Sequence, residues 1–216
     1  MLDVCHLDEF GIAMTLPTGY SWSPVGHPVV VPYEANQGRR VNGLGAYFSD
    51  GPQAGQLDYQ LYLGLPKSPA RKSRGQIVCM PPGVLPQEVG PIAGERLVAF
   101  VWKIAGRPRV CLDEWKRVRP LYVWMDNYWV HVGQVFQEAL ACFEAADIHI
   151  RYLPGYCPEL SEIEPIWQDL KYRQMAQRSF KEVVLLREAV RAALERKAAR
   201  LKAARQETTN LLCVAA

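Results

Sequence analysis

Apolar and polar positions alternate along the first part of the chain. Val4–Asp8 is a short apolar run closed by a carboxylate, and Gly19-Tyr20-Ser21-Trp22 follows a Pro-Thr-Gly turn as a hairpin return. Arg40–Phe48 alternates through small and aromatic residues, and Gln56–Tyr62 repeats the pattern. A period of two sends successive side chains to opposite faces, so these segments read as strands. Residues 64–91 break the pattern with six prolines, four glycines and the basic cluster Lys67, Arg71, Lys72 and Arg74. They read as an irregular insertion, a solvated loop by default with a DNA-facing loop as the alternative.

The period then changes. Pro91–Ala105 and Gly133–Ala145 read as helices, Leu121–Met125 and Ile148–Leu153 as buried strands, and a further helix starts near Ser161 and reaches Lys171. A last long helix over Ser179–Arg205 carries Val183, Leu186, Val190, Leu194 and Leu201 in one stripe, with Arg187, Arg191, Arg196 and Arg200 on other faces. That stripe fits packing on the core; a DNA or partner surface is the alternative reading of the basic faces. Strands followed by helix–strand–helix–strand–helix define an α/β fold, with a mixed sheet flanked by helices and a long C-terminal helix.

Composition narrows the class. The chain has 216 residues, 49% of them apolar and 22% charged, which fits one folded domain and excludes a disordered polymer. No apolar run approaches the ~18 residues of a membrane span. The start lacks a basic segment followed by an apolar one, so a cytoplasmic location and no membrane partner are expected. Six cysteines form no C-x-x-C pair and read as reduced, mostly buried thiols. Charge is uneven: residues 171–216 hold eleven Lys and Arg against four Asp and Glu, and the preceding residues fourteen against eighteen. A basic tail after an acidic body suits a polyanion partner. The expected division is residues 1–178 as the α/β domain and 179–216 as a basic helix and tail.

Three carboxylates draw attention. Asp126 ends the apolar strand Leu121–Met125, where a half-desolvated acid needs a cation or several donors; a turn-capping Asp is the other reading. Asp8 follows Val4-Cys5-His6-Leu7 and precedes Glu9, and strand geometry lets only one of that pair face a site shared with Asp126. Glu164 lies in Ser161-Glu162-Ile163-Glu164, which also fits a capping box with Ser161 as N-cap. The shared chemistry would be two hard divalent cations on carboxylate oxygens, acting on a phosphodiester. A zinc site would need His and Cys clusters that the sequence lacks.

The local blocks resemble the mariner superfamily of DDE transposases, particularly its bacterial insertion-sequence branch. They are His6-Leu7-Asp8-Glu9-Phe10-Gly11, Trp22-Ser23-Pro24-Val25-Gly26, Val41-Asn42-Gly43-Leu44-Gly45-Ala46, Asp126-Asn127 with His131, and Leu153-Pro154-Gly155-Tyr156-Cys157-Pro158 through Glu164, Trp167 and Leu170-Lys171. The second and third acids stand 38 positions apart. The resemblance spans about residues 3–50 and 95–195. It implies an RNase H-like fold and Asp8, Asp126 and Glu164 as the catalytic, metal-holding residues for two Mg²⁺ or Mn²⁺ ions. It also implies hydrolysis at transposon ends followed by strand transfer to target DNA, with a homodimer assembled on the DNA. Asn127 and His131 match the motif in orienting or helix-start roles. Ser161 and Glu162 depart from the family's Asn and Pro, and the 64–91 stretch looks longer than usual. The chain starts close to its first acid, where members carry helix-turn-helix modules, so a separate or missing module is expected. An inactive remnant that only binds DNA or dimerises through the basic helix is the alternative.

Overall fold

The computed structural model describes residues 1–15, 23–27, 40–64, 84–108, 115–155, 157–175 and 179–214. The hairpin return at 19–22 and the basic cluster at 67–74 lie outside them. Among the described residues five strands form one sheet: β1 (Asp3–Ala13), β2 (Arg40–Asp50), β3 (Leu57–Gly64), β4 (Leu121–Met125) and β5 (Ile148–Tyr152), in the order β3-β2-β1-β4-β5. β1, β2 and β3 make an antiparallel meander, whereas β4 and β5 add to β1 in parallel. The sheet is therefore mixed, as the element order predicts.

Helix α1 (Gly94–Ile104) buries Leu97, Phe100, Val101 and Ile104, one stripe at helical spacing, with Glu95 in its first turn and Lys103 in its last. Helix α2 (Gln134–Ala145) buries Phe136 and Phe143, two turns apart. Both join Cys5, Leu7, Leu44, Phe48 and Val123 in a core on one side of the sheet. Phe10 and Val41, of opposite parity on the same strands, enter a second core with helices α3 (Glu164–Asp169) and α4 (Val183–Val214). The sheet is thus covered on both sides. In α4, Leu186, Val190, Ala193 and Leu194 are fully buried, while the stretch from Ala199 to Asn210 is exposed apart from Leu201. The helix runs past the expected end at Arg205.

Part of the proline-rich stretch is packed. Val84 is buried, Pro86–Glu88 forms a 3₁₀ turn, Val89 bridges to Leu63, and the Val89 carbonyl accepts from Arg96 Nη2 at 2.6 Å. At the end of β1 remote from Asp8, fully buried Asp3 meets Arg117 at 2.7 Å, and the guanidinium also reaches the carbonyls of Ala105 and Arg119 and the Gln53 side chain. This network ties the meander to the segment leading into β4.

Candidate active site

The strand register brings the first two acids to one edge. β4 pairs with β1 only as far as His6↔Trp124, so Asp8 and Asp126 each lie two residues past the last pair on neighbouring strands. Asp8 does not end its strand, as the short apolar run suggested; β1 continues to Ala13 because β2 pairs with it throughout. Asp8 and Asp126 line one cavity of about 520 Å³ with Glu9, Arg40, Asn42 and Lys171.

Alternation separates Asp8 from Glu9. Asp8 faces α3, where Trp167 Nε1 donates to its Oδ2 at 3.1 Å; its Oδ1 accepts the Glu9 backbone N–H at 2.8 Å. Glu9 turns to the α2 side and accepts from His131 Nε2 at 3.1 Å, while His131 Nδ1 lies 2.8 Å from both the carbonyl and Oδ1 of Asp126. His131 is wholly buried and ties the end of β4 to the middle of β1. Asn127 Nδ2 donates to the Leu153 carbonyl at 3.0 Å, which fastens the end of β4 to that of β5. Both residues hold backbone in place.

Glu164 starts α3, but not through the capping box. The N-cap is Ile163, with no side-chain cap bond, and Glu164 is the first helical residue. Its backbone N–H donates to the Ser161 carbonyl at 3.2 Å. The 3₁₀ turn at Pro158–Leu160 and Pro165 in the first helical turn delay the helix, and Pro suits that position. Glu164 is absent from the cavity lining; it sits one turn before Trp167, whose indole holds Asp8. His6 adds a second tie to this region, with Nδ1 accepting the Glu162 N–H at 3.4 Å. Among the described residues, no three His, Cys, Asp or Glu side chains stand together as a ready metal cage.

Electrostatics single out Asp8. Burial, then the charges of Glu9, Glu164 and Asp126, push its carboxyl up to about 7 against the weaker opposing pull of the Glu9 N–H. Glu164 and Asp126 are thus both close enough to act on it. Burial works against a charge on His131, but the Glu9 hydrogen bond and charge, with Asp126, outweigh it and raise it to about 9. Burial lowers His6, with the Glu162 charge opposing. A half-buried carboxylate crowded by other acids is a place where added positive charge is favourable, and its oxygens suit a hard cation. The donor chemistry therefore fits Mg²⁺ or Mn²⁺, with water completing the coordination.

Sequence reasoning did not find the Trp167–Asp8 bond or the Glu9–His131–Asp126 clamp. Trp167 carried a usable signal, standing three residues after Glu164 on the same helical face. Arg40 and Lys171 carried none, because only tertiary structure brings them to the cavity.

Residues 90–187 match the family described as DDE superfamily endonuclease. Among solved structures, the chain is similar to the Mos1 transposase paired-end complex with left transposon end, at 11% identity and a TM-score of 0.50, covering 92% of this chain and 53% of that one. It is similar to the Mos1 strand transfer complex at 13% identity and a TM-score of 0.51, covering 92% and 52%. It also resembles the mariner Mos1 paired-end complex with Mg at 15% identity and a TM-score of 0.53, covering 92% and 48%. No curated protein matches the chain. The chain spans about half the length of these Mos1 chains. Its fold is RNase H-like, similar to that of the Mos1 transposase.

Proposed function

We propose that the chain is the catalytic domain of a cut-and-paste DNA transposase of the insertion-sequence type, with Asp8, Asp126 and Glu164 holding two Mg²⁺ or Mn²⁺ ions. One observation carries this reading: Asp8 is half-buried where β4 ends beside β1, its charge opposed by Glu9, Glu164 and Asp126, with no Lys or Arg acting on it among the described residues. Bound divalent ions would activate the attacking oxygen and stabilise the leaving oxygen of a phosphodiester. The chain's own residues prepare that site. Trp167 and the Glu9 N–H fix both oxygens of Asp8, and His131 fixes the strand end that carries Asp126. Arg40 and Lys171 supply positive charge along the cavity to attract the DNA backbone.

On this reading the substrates are transposon ends and target DNA. The order is hydrolysis at an end, then attack by the freed 3′-hydroxyl on a target phosphate. A helix-turn-helix module outside these residues reads the ends, the working assembly is a homodimer on DNA, and the protein acts at the nucleoid. Among the described residues no helix is long and apolar enough to cross a membrane. The division into a catalytic unit at 1–178 and a basic helix and tail at 179–216 belongs to the same proposal, with the first turns of α4 packed into the catalytic core.

The test is nicking of end-bearing DNA by the purified chain, with a partner end-binding module supplied, in Mg²⁺ or Mn²⁺. Activity that disappears with chelator and in Asp126→Asn and Glu164→Gln supports the reading; equal nicking in those variants refutes it. A second reading draws on the exposed stretch of α4 with Arg200, Lys202 and Arg205: a remnant that binds DNA without cutting it. Steeply salt-dependent binding unchanged in Asp126→Asn, with no cleavage by any form, would select it.

A further inference from the structure

Two large aromatic side chains stand in solvent beside the acids. Tyr128 is 51% exposed and Trp129 65%, with ring centroids 5.8 Å apart and planes inclined at 57°. Aromatic rings gain much from burial, so two exposed neighbours in one turn form a surface suited to an occupant. The turn is tied down. The Tyr128 N–H donates to Asp126 Oδ1 at 3.0 Å, the His131 N–H donates to the Tyr128 carbonyl at 2.8 Å, and the Tyr128 ring meets the His131 ring edge-on at 6.3 Å. The aromatic pair is therefore held in fixed relation to Asp126.

The chemistry around it selects the occupant. Tyr128 and Trp129 line the same cavity as Asp8, Asp126, Arg40 and Lys171. An apolar protein face seated there would strip water from two acids and two cations without pairing them. A nucleotide matches both halves, with an apolar base face for the rings and a phosphate for the cations. We propose that Trp129, flanked by the inclined Tyr128 ring, is a stacking platform for one unpaired nucleobase of the DNA strand whose phosphate enters the Asp8–Asp126 cavity. This deepens the transposase reading and rests on it for the nature of the ligand. Stacking tolerates every base and requires one that is free of its own stack, so the platform favours strand ends and distorted junctions over intact duplex.

The experiment measures binding of a labelled single-stranded DNA oligonucleotide to the full chain by fluorescence anisotropy, in chelator so that cleavage plays no part. Trp129→Ala is expected to weaken binding by about tenfold, the scale of one lost base stack. Trp129→Phe should restore most of the affinity, and an abasic oligonucleotide should bind wild type and Trp129→Ala alike. An oligonucleotide carrying 2-aminopurine should be quenched on binding the wild-type chain, a readout that needs no variant to fold. Equal affinity of wild type and Trp129→Ala for the ordinary strand overturns the proposal. So does an equal loss on the abasic strand, an absence of quenching, or a loss of self-association that accounts for the weaker binding. If the platform results hold while wild type nicks no DNA in Mg²⁺, the catalytic reading fails alone. If nicking is normal and Trp129→Ala binds normally, the platform fails alone.

Discussion

Replacing Asp8 by Asn should stabilise the metal-free chain while abolishing its response to divalent cations. The Asp8 carboxyl lies at about 7 in the folded chain against a reference of 3.8. Each unit corresponds to ~1.4 kcal/mol, so the charged form opposes folding by roughly 4 kcal/mol at most. The sign follows from proton counts. Between pH 3.8 and about 7 the folded chain keeps a proton that the unfolded chain has released, so stability falls as pH rises through that window and is flat above it. Asn removes this charge but can offer one oxygen, not two, to the Trp167 and Glu9 donors. The mismatched donor returns ~1–3 kcal/mol of the gain. The expected net is a stabilisation of about 1–3 kcal/mol at pH 8, equivalent to a Tm rise of ~2–12 °C for a chain of this size. The assay is urea and thermal unfolding of both forms in chelator from pH 4 to pH 9, repeated with excess Mg²⁺ or Mn²⁺. Wild type should lose stability between pH 4 and 7 and recover ~2.7 kcal/mol at a hundredfold excess of cation over its Kd; Asp8→Asn should show neither effect. A variant less stable than wild type at pH 8, or one that cation still stabilises, refutes the account of Asp8 as a carboxylate waiting for positive charge.

Four further outcomes follow from the same contacts. Gly45→Ala should cost ~1–3 kcal/mol in urea unfolding and reduce nicking, because its new Cβ would stand 2.5 Å from Trp167 Cζ2 and displace the indole that holds Asp8. Arg117→Ala should cost ~3–5 kcal/mol, since it leaves the fully buried Asp3 carboxylate only the more distant Arg119 at 3.7 Å and the Gln53 N–H at 3.3 Å; a loss under 1 kcal/mol by denaturant titration would show the pair to be unimportant. His131, raised to about 9, contributes stability that is full below its ordinary 6.5 and is lost as pH climbs through 9, so His131→Gln should flatten the pH 6.5–9 limb of the metal-free unfolding curve. Under native conditions alkylating reagents should label exposed Cys142 and spare Cys5 until the chain unfolds, because burial raises the Cys5 thiol far above its usual range; mass mapping reads the difference.

The layer order and the sheet type were legible because they rest on periodicity. Cys5 and Leu7 against Phe10, or Leu97, Phe100, Val101 and Ile104, announce their faces by spacing alone. The length of β1 was not legible. Glu9, Gly11 and Ala13 carry no strong strand preference, and only pairing with β2 extends the strand through them. The start of α3 misled for a local reason. Ser161 and Glu164 have capping-box spacing, yet Pro158 and Pro165 set the turns, and tertiary burial of Ser161 and Ile163 fixes where the helix begins. Of the candidate site, the acids and His131 could be picked out as proposals from motif spacing. Their electrostatic states could not, because the crowding of Asp8 depends on charges one and more than a hundred residues away.

The two glycines of β2 show how a pattern without chemistry of its own serves the chemical residues. In register, Gly43 stands opposite Phe10 and Gly45 opposite Asp8. A Cβ on Gly43 would strike the Phe10 ring, and one on Gly45 would strike the Trp167 indole. Phe10 and Trp167 lie with centroids 4.5 Å apart. Two missing side chains thus open a trough across β2 into which both rings settle, and the indole arrives with its N–H aimed at Asp8. Because Trp167 and Glu164 share one turn of α3, seating that single ring also sets the distance of the third acid from the first. The glycine spacing in β2 and the Glu164–Trp167 spacing in α3 therefore act as one device. Substitutions in the trough should move Glu164 relative to Asp8 even though no residue of β2 bears a catalytic group.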